Sequence, residues 1–337
     1  MQSMRRGPIV MAVCIVLAVW GLVSAPREAA AAEKKLKVAL CLPGAISDKG
    51  FNAAAHAGLM RIKEELGHEV AFTESVQRTD FVTTLRDYAT RGYDVIIGHG
   101  FQWGDALQRV AKDFPDKKFL NTFGVVTGPN LASVDIYVEQ LFHVTGAVAA
   151  WMTKAKKVGV VGGWEIPPIR RQAEAFRLGV IATDPKVDVR TTFVGTFYDP
   201  VKGKEAATAL IGAGVDVLTH MADASGLGVL EAAREKKVLA VGYMADQIDL
   251  APQVVLTSNL VGTGEMMKQM VDRIAKGQFE GKFIDFGLET GVLRLGRWGE
   301  AAPPDVRARA ERLAEDIKSG KVQIPKVDMK ALMQRKP

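Results

Sequence analysis

Histidine and aspartate side chains that could transfer protons follow strand-like runs in this 337-residue chain. His99 follows DVIIG and His220 follows DVLT, so the two imidazoles could form an acid–base pair or make local hydrogen bonds. The sequence contains no G-x-S-x-G or G-x-x-x-x-G-K-[ST] motif, and its five histidines lack metal-ligand spacing. We therefore expect no enzymatic activity, no cofactor and no metal.

Aromatic side chains gather in the loops that follow the strand-like runs. Aromatic residues are only 7% of the chain, yet these loops contain Phe51, Phe101, Trp103, Phe123, Trp164, Phe197, Tyr198 and Tyr243. Flat rings at a cleft suit a planar ligand, and each stacked face contributes on the order of 1 kcal/mol. The alternative is that several of these rings only pack the edges of a sheet.

The loop GAISDKGFN, residues 44–52, lies between an apolar run, LKVALCL, and a helical pattern, AAAHAGLMRIKEEL. Loops of this kind hold phosphates, nucleophiles or ligands in α/β proteins. The loop lacks the Lys-Ser/Thr ending of a phosphate loop. Asp48 could face a cleft or accept hydrogen bonds from the first turn of the following helix.

The chain repeats a strand–loop–helix pattern. ATRGYDVIIGHG at residues 89–100 matches IGAGVDVLTHMA at residues 211–222, and DKKFLNTFG at 116–124 matches EKKVLAVGY at 235–243. Short apolar strands that alternate with amphipathic helices indicate a parallel sheet covered by helices. We predict two such lobes, with ligand-binding loops at the carboxyl ends of their strands. KFIDFGLETGVLRLG, residues 282–296, is expected to form a hairpin-like pair.

The first 32 residues have the pattern of a secretory signal peptide. A basic start with Arg5 and Arg6 precedes the apolar residues 8–25 and an alanine-rich cleavage site at 29–32. An uncleaved membrane anchor is the alternative, and the position of Cys14 argues against lipid attachment. We expect a periplasmic protein. The net charge of +6 is spread among paired acids and bases, which excludes a nucleic-acid surface.

Several segments, taken in order, resemble the basic membrane protein (BMP) family of periplasmic solute-binding proteins, which serve ABC importers. They include SDKGFN, GYDVIIGHGF, GPNLASV, KVGVVGGWEIPPIRR, GLGVLEAAREKKV and APQVVLTS, within residues 36–296. The resemblance implies an α/β type I periplasmic binding protein with two doubly wound parallel-sheet lobes, a three-segment hinge and a ligand cleft between them. We expect residues 33–138 and 259–284 in the N-terminal lobe, and residues 139–258 and 285–337 in the C-terminal lobe.

The resemblance also suggests the ligand. Better-studied relatives bind purine nucleosides, whose base stacks on the residue matching Phe51, beside Asn52; Trp164 or Phe197 would supply a second ring. This chain lacks an aspartate near Leu42, has Tyr243 at a sugar-binding aspartate position, and has NLVGTG where relatives place a lysine. A buried hydroxyl needs a partner. We therefore predict a flat heterocycle, such as a free purine base.

The resemblance implies a binding protein that delivers its ligand to a membrane permease, and we expect it to act as a monomer. A secreted nucleoside-processing hydrolase and a ligand sensor for a membrane receptor are the alternatives. The candidate ligand-binding residues, from the residues and the resemblance together, are Asp48, Phe51, Asn52, His99, Phe101, Trp103, Asp105, Trp164, Phe197, Tyr198, Asp223, Tyr243 and Asp246.

Overall fold

The computed structural model describes residues 35–48, 50–328 and 331–332. The predicted signal peptide, residues 1–32, lies outside the described residues. Among the residues that are described, every helix is too short or too polar to cross a bilayer.

The first half of the chain alternates strands and helices. Its elements are β1 (Lys37–Cys41), α1 (Phe51–Leu66), β2 (Glu69–Thr73), α2 (Phe81–Thr90), β3 (Val95–His99), α3 (Gly104–Asp113), β4 (Lys118–Thr122) and β5 (Leu131–Ile136).

The second half repeats this alternation and adds elements at its end. They are α4 (Val138–Met152), β6 (Lys157–Gly162), α5 (Pro167–Thr183), β7 (Asp188–Phe193), α6 (Pro200–Gly212), β8 (Val217–Met221), α7 (Asp223–Lys236), β9 (Leu239–Met244), β10 (Val255–Val261), α8 (Thr263–Ala275), β11 (Phe283–Phe286), β12 (Leu293–Leu295) and α9 (Pro304–Lys318).

The strands form two sheets, each six-stranded within the described residues. The N-terminal sheet has the order β11-β5-β4-β3-β1-β2, and the C-terminal sheet has the order β12-β10-β9-β8-β6-β7. All neighbouring strands are parallel except β12, which runs antiparallel to β10 at one edge. The prediction of two α/β lobes with parallel sheets is confirmed.

Helices cover both faces of the N-terminal sheet, as the alternation along β1 shows. Val38 and Leu40 pack with α1 and α8 in one apolar cluster, whereas Ala39 and Cys41 pack with α2 and α3 in another. Side chains on a strand point alternately to its two faces, so a strand buried on both sides has a continuous apolar sequence.

The chain passes between the lobes three times within the described residues. It leaves the N-terminal sheet after β5 and enters α4, which packs on α5 of the other lobe. It returns after β10 into α8, which packs on α1, and it leaves again between β11 and β12. A cleft spanned by three such connections can open and close about them.

Three expectations about the later crossings differ from the strand pairing. β11 and β12 do not form a hairpin: β11 pairs with β5 in one sheet and β12 pairs with β10 in the other. We also expected the N-terminal lobe to resume at residue 259. Asn259 and Leu260 still belong to the C-terminal sheet, because they pair with both β9 and β12. Asp285 and Phe286, which we assigned to the C-terminal lobe, pair with β5 in the N-terminal sheet.

Helices α1 and α8 approach each other closely enough to require glycine. A Cβ added to Gly58 would lie 2.2 Å from the Cα atom of Gly264. This contact anchors α8 to the helix that begins at Phe51, so it fixes the position of the predicted binding loop.

Candidate functional site

A cavity of about 510 Å³ lies between the two lobes. This volume is within the usual range for small-molecule sites. The N-terminal lobe and its loops contribute Pro43, Gly44, Asp48, Phe51, Asn52, Val76, Gln77, Arg78, Phe81, Gly100, Phe101, Gln102 and Phe123. The C-terminal lobe contributes Trp164, Ile166, Pro168, Ile169, Gln172, Phe197, Tyr198, Asp223, Tyr243, Met244 and Val261.

The loop before α1 is held together by Asp48. Its carboxylate accepts hydrogen bonds from the backbone N–H groups of Gly50 at 3.0 Å, Asn52 at 2.8 Å and Ala53 at 2.9 Å. The last two of these groups belong to the first turn of α1, where backbone N–H groups lack partners within the helix, and Gly50 directly precedes it. Asp48 therefore caps the helix while it also lines the cavity.

The side chain of Asn52 also forms hydrogen bonds within the loop. Its Nδ2 donates to Asp48 Oδ2 at 2.7 Å, and its Oδ1 accepts from the backbone N–H of Gly44 at 3.3 Å. One N–H of the amide remains for a ligand. These bonds fix the direction of the loop, so that Phe51, the first residue of α1, lines the cavity.

His99 lies beneath Phe51, outside the cavity lining. The two rings stack with centroids 3.8 Å apart and planes inclined by 26°. Nε2 of His99 donates to the carbonyl of Phe51 at 3.1 Å, and Nδ1 accepts from Thr122 Oγ1 at 2.8 Å. Burial lowers the pKa of His99 to about 4, so the imidazole is neutral at physiological pH and supports Phe51.

His220 forms its hydrogen bond with a residue other than His99. Its Nε2 donates to Gln247 Oε1 at 2.9 Å, within its own lobe, and burial lowers its pKa to about 4. The structure therefore favours the alternative of local hydrogen bonds over an acid–base pair.

Aromatic rings of the C-terminal lobe form the opposite wall. Trp164, Phe197 and Tyr198 follow β6 and β7, and they line the cavity beside Tyr243. Trp164 is 52% exposed. Tyr243 is buried, and burial, chiefly, raises the pKa of this phenol.

Asp223 is the first residue of α7 and lines the cavity from the C-terminal lobe. Its φ of 45° lies in the left-handed region, which aspartate tolerates better than most residues. Its carboxyl makes no hydrogen bond or ion pair with any residue in the described ranges. Burial, and then the charge of Asp48, raise the pKa of Asp223 to about 7.

Four of the candidate residues are not brought into the cavity lining: His99, described above, and Trp103, Asp105 and Asp246. Trp103 is fully buried because its ring stacks on Phe81, 3.6 Å away, in the core of the N-terminal lobe. Asp105 is an exposed residue in the first turn of α3. Asp246 accepts hydrogen bonds from Arg297, at 2.8 Å from Nε and 3.1 Å from the backbone. The structure therefore places these three predicted residues outside the cavity lining.

Several lining residues were absent from the candidate ligand-binding residues, although Phe123 was among the loop aromatics noted in the sequence. Phe123 lies 5.5 Å from Phe51, centroid to centroid, and has a positive φ of 54°. Phe81, Ile169 and Gln172 lie on helices rather than on loops after strands. The spacing of Pro168, Ile169 and Gln172 along α5 places them on one helical face, which was the available signal.

Comparisons with known proteins agree on one family. The model of the Bmp family, described as ABC transporter substrate-binding protein PnrA-like, matches residues 35–328. A purine-binding protein of Brucella abortus is 29% identical over 297 residues, 87% of this chain and 84% of that protein. An ABC transporter nucleoside-binding protein of Lactococcus lactis is 27% identical over 305 residues, 83% of this chain and 86% of that protein.

A solved structure shows the same architecture. An ABC transporter solute-binding protein from Conexibacter woesei has 27% sequence identity and a TM-score of 0.70, covering 86% of this chain and 99% of that chain.

Proposed function

The chain belongs to the Bmp family of PnrA-like ABC transporter substrate-binding proteins, which bind solutes and are not enzymes, and we propose that it captures a free purine base or similar planar heterocycle. The ligand is held between the two lobes and is delivered to the membrane permease of an ABC importer. Residues 1–32 act as the signal peptide that sends the protein to the periplasm, where it works as a monomer.

Rings on both sides of the cavity support a planar ligand. Phe51 and Phe123 come from the N-terminal lobe, and Trp164 and Phe197 come from the C-terminal lobe. A flat heterocycle between two rings gains contact on both of its faces. The purine-binding relative in Brucella abortus has the same class of ligand.

The hydrogen bonds that Asp48 and Asn52 make within their own loop are the observation that favours a free base over a nucleoside. Asp48 accepts four N–H groups from Gly50, Asn52 and Ala53, and both ends of the Asn52 amide are bonded within the loop. Ribose hydroxyls that are removed from water need polar partners, and each unmet group costs about 1–3 kcal/mol. Asp48 and Asn52 therefore leave few of their polar groups for a sugar.

Binding favours the closed arrangement of the lobes, because the ligand contacts both walls only when they face each other. The three crossings described above let the lobes move. The closed outer surface is then recognised by the permease. X-ray scattering with and without bound base tests this step: superimposable profiles would contradict closure.

Calorimetry with adenine, hypoxanthine and guanine, beside adenosine and inosine, tests the ligand class. We expect at least one free base to bind more tightly than its nucleoside. Binding of the nucleosides without binding of any free base would overturn the assignment. Uptake of the labelled base by cells that lack the gene tests import; unchanged uptake would favour the role of a ligand sensor for a membrane receptor.

A further inference from the structure

We propose that Asp223 binds the ligand as a neutral carboxylic acid, and that it thereby selects a heterocycle with a hydrogen-bond donor beside an acceptor. An aminopurine such as adenine and a lactam such as hypoxanthine both have such an edge. This inference rests on the proposed function, because it names the edge by which a planar base is recognised in the same cavity.

The position of Asp223 makes its carboxyl available to a ligand. Asp223 lines the cavity, and no described residue forms a hydrogen bond with its carboxyl group. Its backbone holds a left-handed conformation at the start of a 14-residue helix. Non-glycine residues in this region are uncommon and cost about 1–3 kcal/mol, and they cluster at binding sites.

The carboxyl of Asp223 lies against the loop of the opposite lobe that contains Asp48. A Cβ added to Gly50 would lie 2.6 Å from Oδ1 of Asp223, so the Asp223 side chain touches the backbone of the loop that Asp48 organises. Asp48 accepts N–H groups only, as an ionised carboxylate does. Hydrogen bonds of this kind favour a carboxylate, and the negative charge of Asp48 disfavours ionisation of Asp223.

Among the described residues, little positive charge lies near Asp223. The N-terminus of α7 favours the carboxylate by up to about 1 kcal/mol. Arg78 also lines the cavity but is exposed on the opposite lobe, and Lys49 lies outside the described residues. The other titratable groups around it are Tyr198, Tyr243, His220 and Asp199. Tyr198 and Tyr243 are neutral phenols, His220 is a neutral imidazole, and Asp199 caps α6. The pKa of Asp223, raised to about 7 by burial and by Asp48, agrees with a neutral acid in the closed site.

The protonation state decides which edge can pair. A neutral acid has one O–H donor and one C=O acceptor, which match an acceptor and an N–H donor that lie side by side on the ligand. A carboxylate has acceptors only, and it would instead match the two adjacent donors of guanine. Guanine also has the lactam edge of hypoxanthine, so it can pair with the neutral acid as well. The structure thus predicts binding of adenine, which lacks two adjacent donors and which a carboxylate would disfavour relative to guanine.

The experiment is calorimetric titration of the full protein with adenine, hypoxanthine and guanine from about pH 5.5 to about pH 8.5. Since the ligand binds the neutral form, we expect constant affinity for adenine below about pH 7 and a fall approaching tenfold per unit above it. Asp223→Asn keeps a donor beside an acceptor but cannot titrate. It should bind adenine or hypoxanthine with similar affinity at all of these pH values, whereas Asp223→Leu should lose at least about tenfold.

The outcomes separate the two proposals. An affinity that rises through pH 7, with guanine preferred and binding lost in Asp223→Asn, would show that Asp223 acts as a carboxylate and would overturn the inference. A pH-independent affinity of the wild-type protein would overturn it as well, whatever the variants do. Absence of binding by every base at every pH overturns the proposed function and the inference together.

Discussion

The ring of Phe51 lies on the imidazole of His99, with the centroids 3.8 Å apart. His99 also donates to the carbonyl of Phe51 and accepts from Thr122, so both of its nitrogens are used. One face of Phe51 is therefore covered by a fixed support, and the residue lines the cavity between the lobes. The geometry assigns His99 a positioning role and makes Phe51 a pre-ordered stacking platform.

Replacing Phe51 by alanine should weaken binding of the base by about fivefold to tenfold, the loss of one stacked face of about 1 kcal/mol. His99→Ala should weaken it less, since the ring of Phe51 remains but is no longer held. Phe72→Ala is a matched control, because Phe72 also contacts a histidine, His56, at 4.5 Å but lies outside the cavity. Calorimetry should show unchanged affinity in that variant; an equal loss in all three would contradict the platform.

Trp164 should report ligand binding by fluorescence. It is 52% exposed and lines the cavity, so a bound base covers it and quenches its emission. The described tryptophans elsewhere are fixed: Trp103 is buried, Trp151 lies under Arg309, and Trp298 donates to Glu311. Trp164→Phe should bind with similar affinity but without the quenching, and a persistent signal would place the ligand elsewhere.

Removal of the Asp48 carboxylate should affect both stability and binding. Asp48→Ala leaves three N–H groups of the loop and the first turn of α1 without their acceptor. Loss of a helix cap costs about 0.5–2 kcal/mol of unfolding free energy, and the displaced loop should weaken ligand affinity. Asp105→Ala removes an exposed first-turn acid of α3, and urea unfolding should show less than about 0.5 kcal/mol of change.

Asp223 should lower the stability of the ligand-free protein as pH rises. Its pKa is about 7 in the folded state against an ordinary 3.8, so between these values the folded state binds more protons than the unfolded state. Stability therefore falls from about pH 4 to about pH 7, by about 4 kcal/mol in total. Asp223→Asn should match the wild type near pH 4 and exceed it at pH 8. The neutral His99 and His220 are common to both proteins, so their contributions cancel in this difference of unfolding free energies.

The sequence was sufficient for the lobes and for part of the site. The paired runs that end at His99 and His220 revealed two matching sheets, because a buried parallel strand needs a continuous apolar sequence. Phe51, Trp164, Phe197, Tyr198 and Tyr243 line the cavity, as expected for loops at the carboxyl ends of strands.

The position of a loop in the sequence did not predict the direction in which its side chains point. Trp103 occupies the same kind of loop as Phe101, yet it turns inward onto Phe81. Asp246 is drawn to Arg297, which lies 51 residues later in the chain. Gln172 reaches the cavity only because α5 packs beside it. These outcomes depend on tertiary contacts that a loop position alone does not specify.

The guanidinium of Arg171 joins the first crossing to the C-terminal lobe. It lies 2.7 Å from each oxygen of buried Glu139 and is also hydrogen-bonded to buried Asp135. Replacing Arg171 by methionine leaves two carboxylates buried without their cation, and we expect a loss of about 3–5 kcal/mol in unfolding free energy at neutral pH. The loss should shrink on acidification, since protonation removes the uncompensated charge.

Arg177→Met is the control for Arg171, because Arg177 pairs with Glu174 at 2.7 Å on the same helix but is more exposed. An exposed pair of this kind contributes at most about 1 kcal/mol. Urea unfolding of both variants at neutral and acid pH measures the difference. Equal losses, or a loss in Arg171→Met that does not change with pH, would mean that the cation does not stabilise the crossing through its charge.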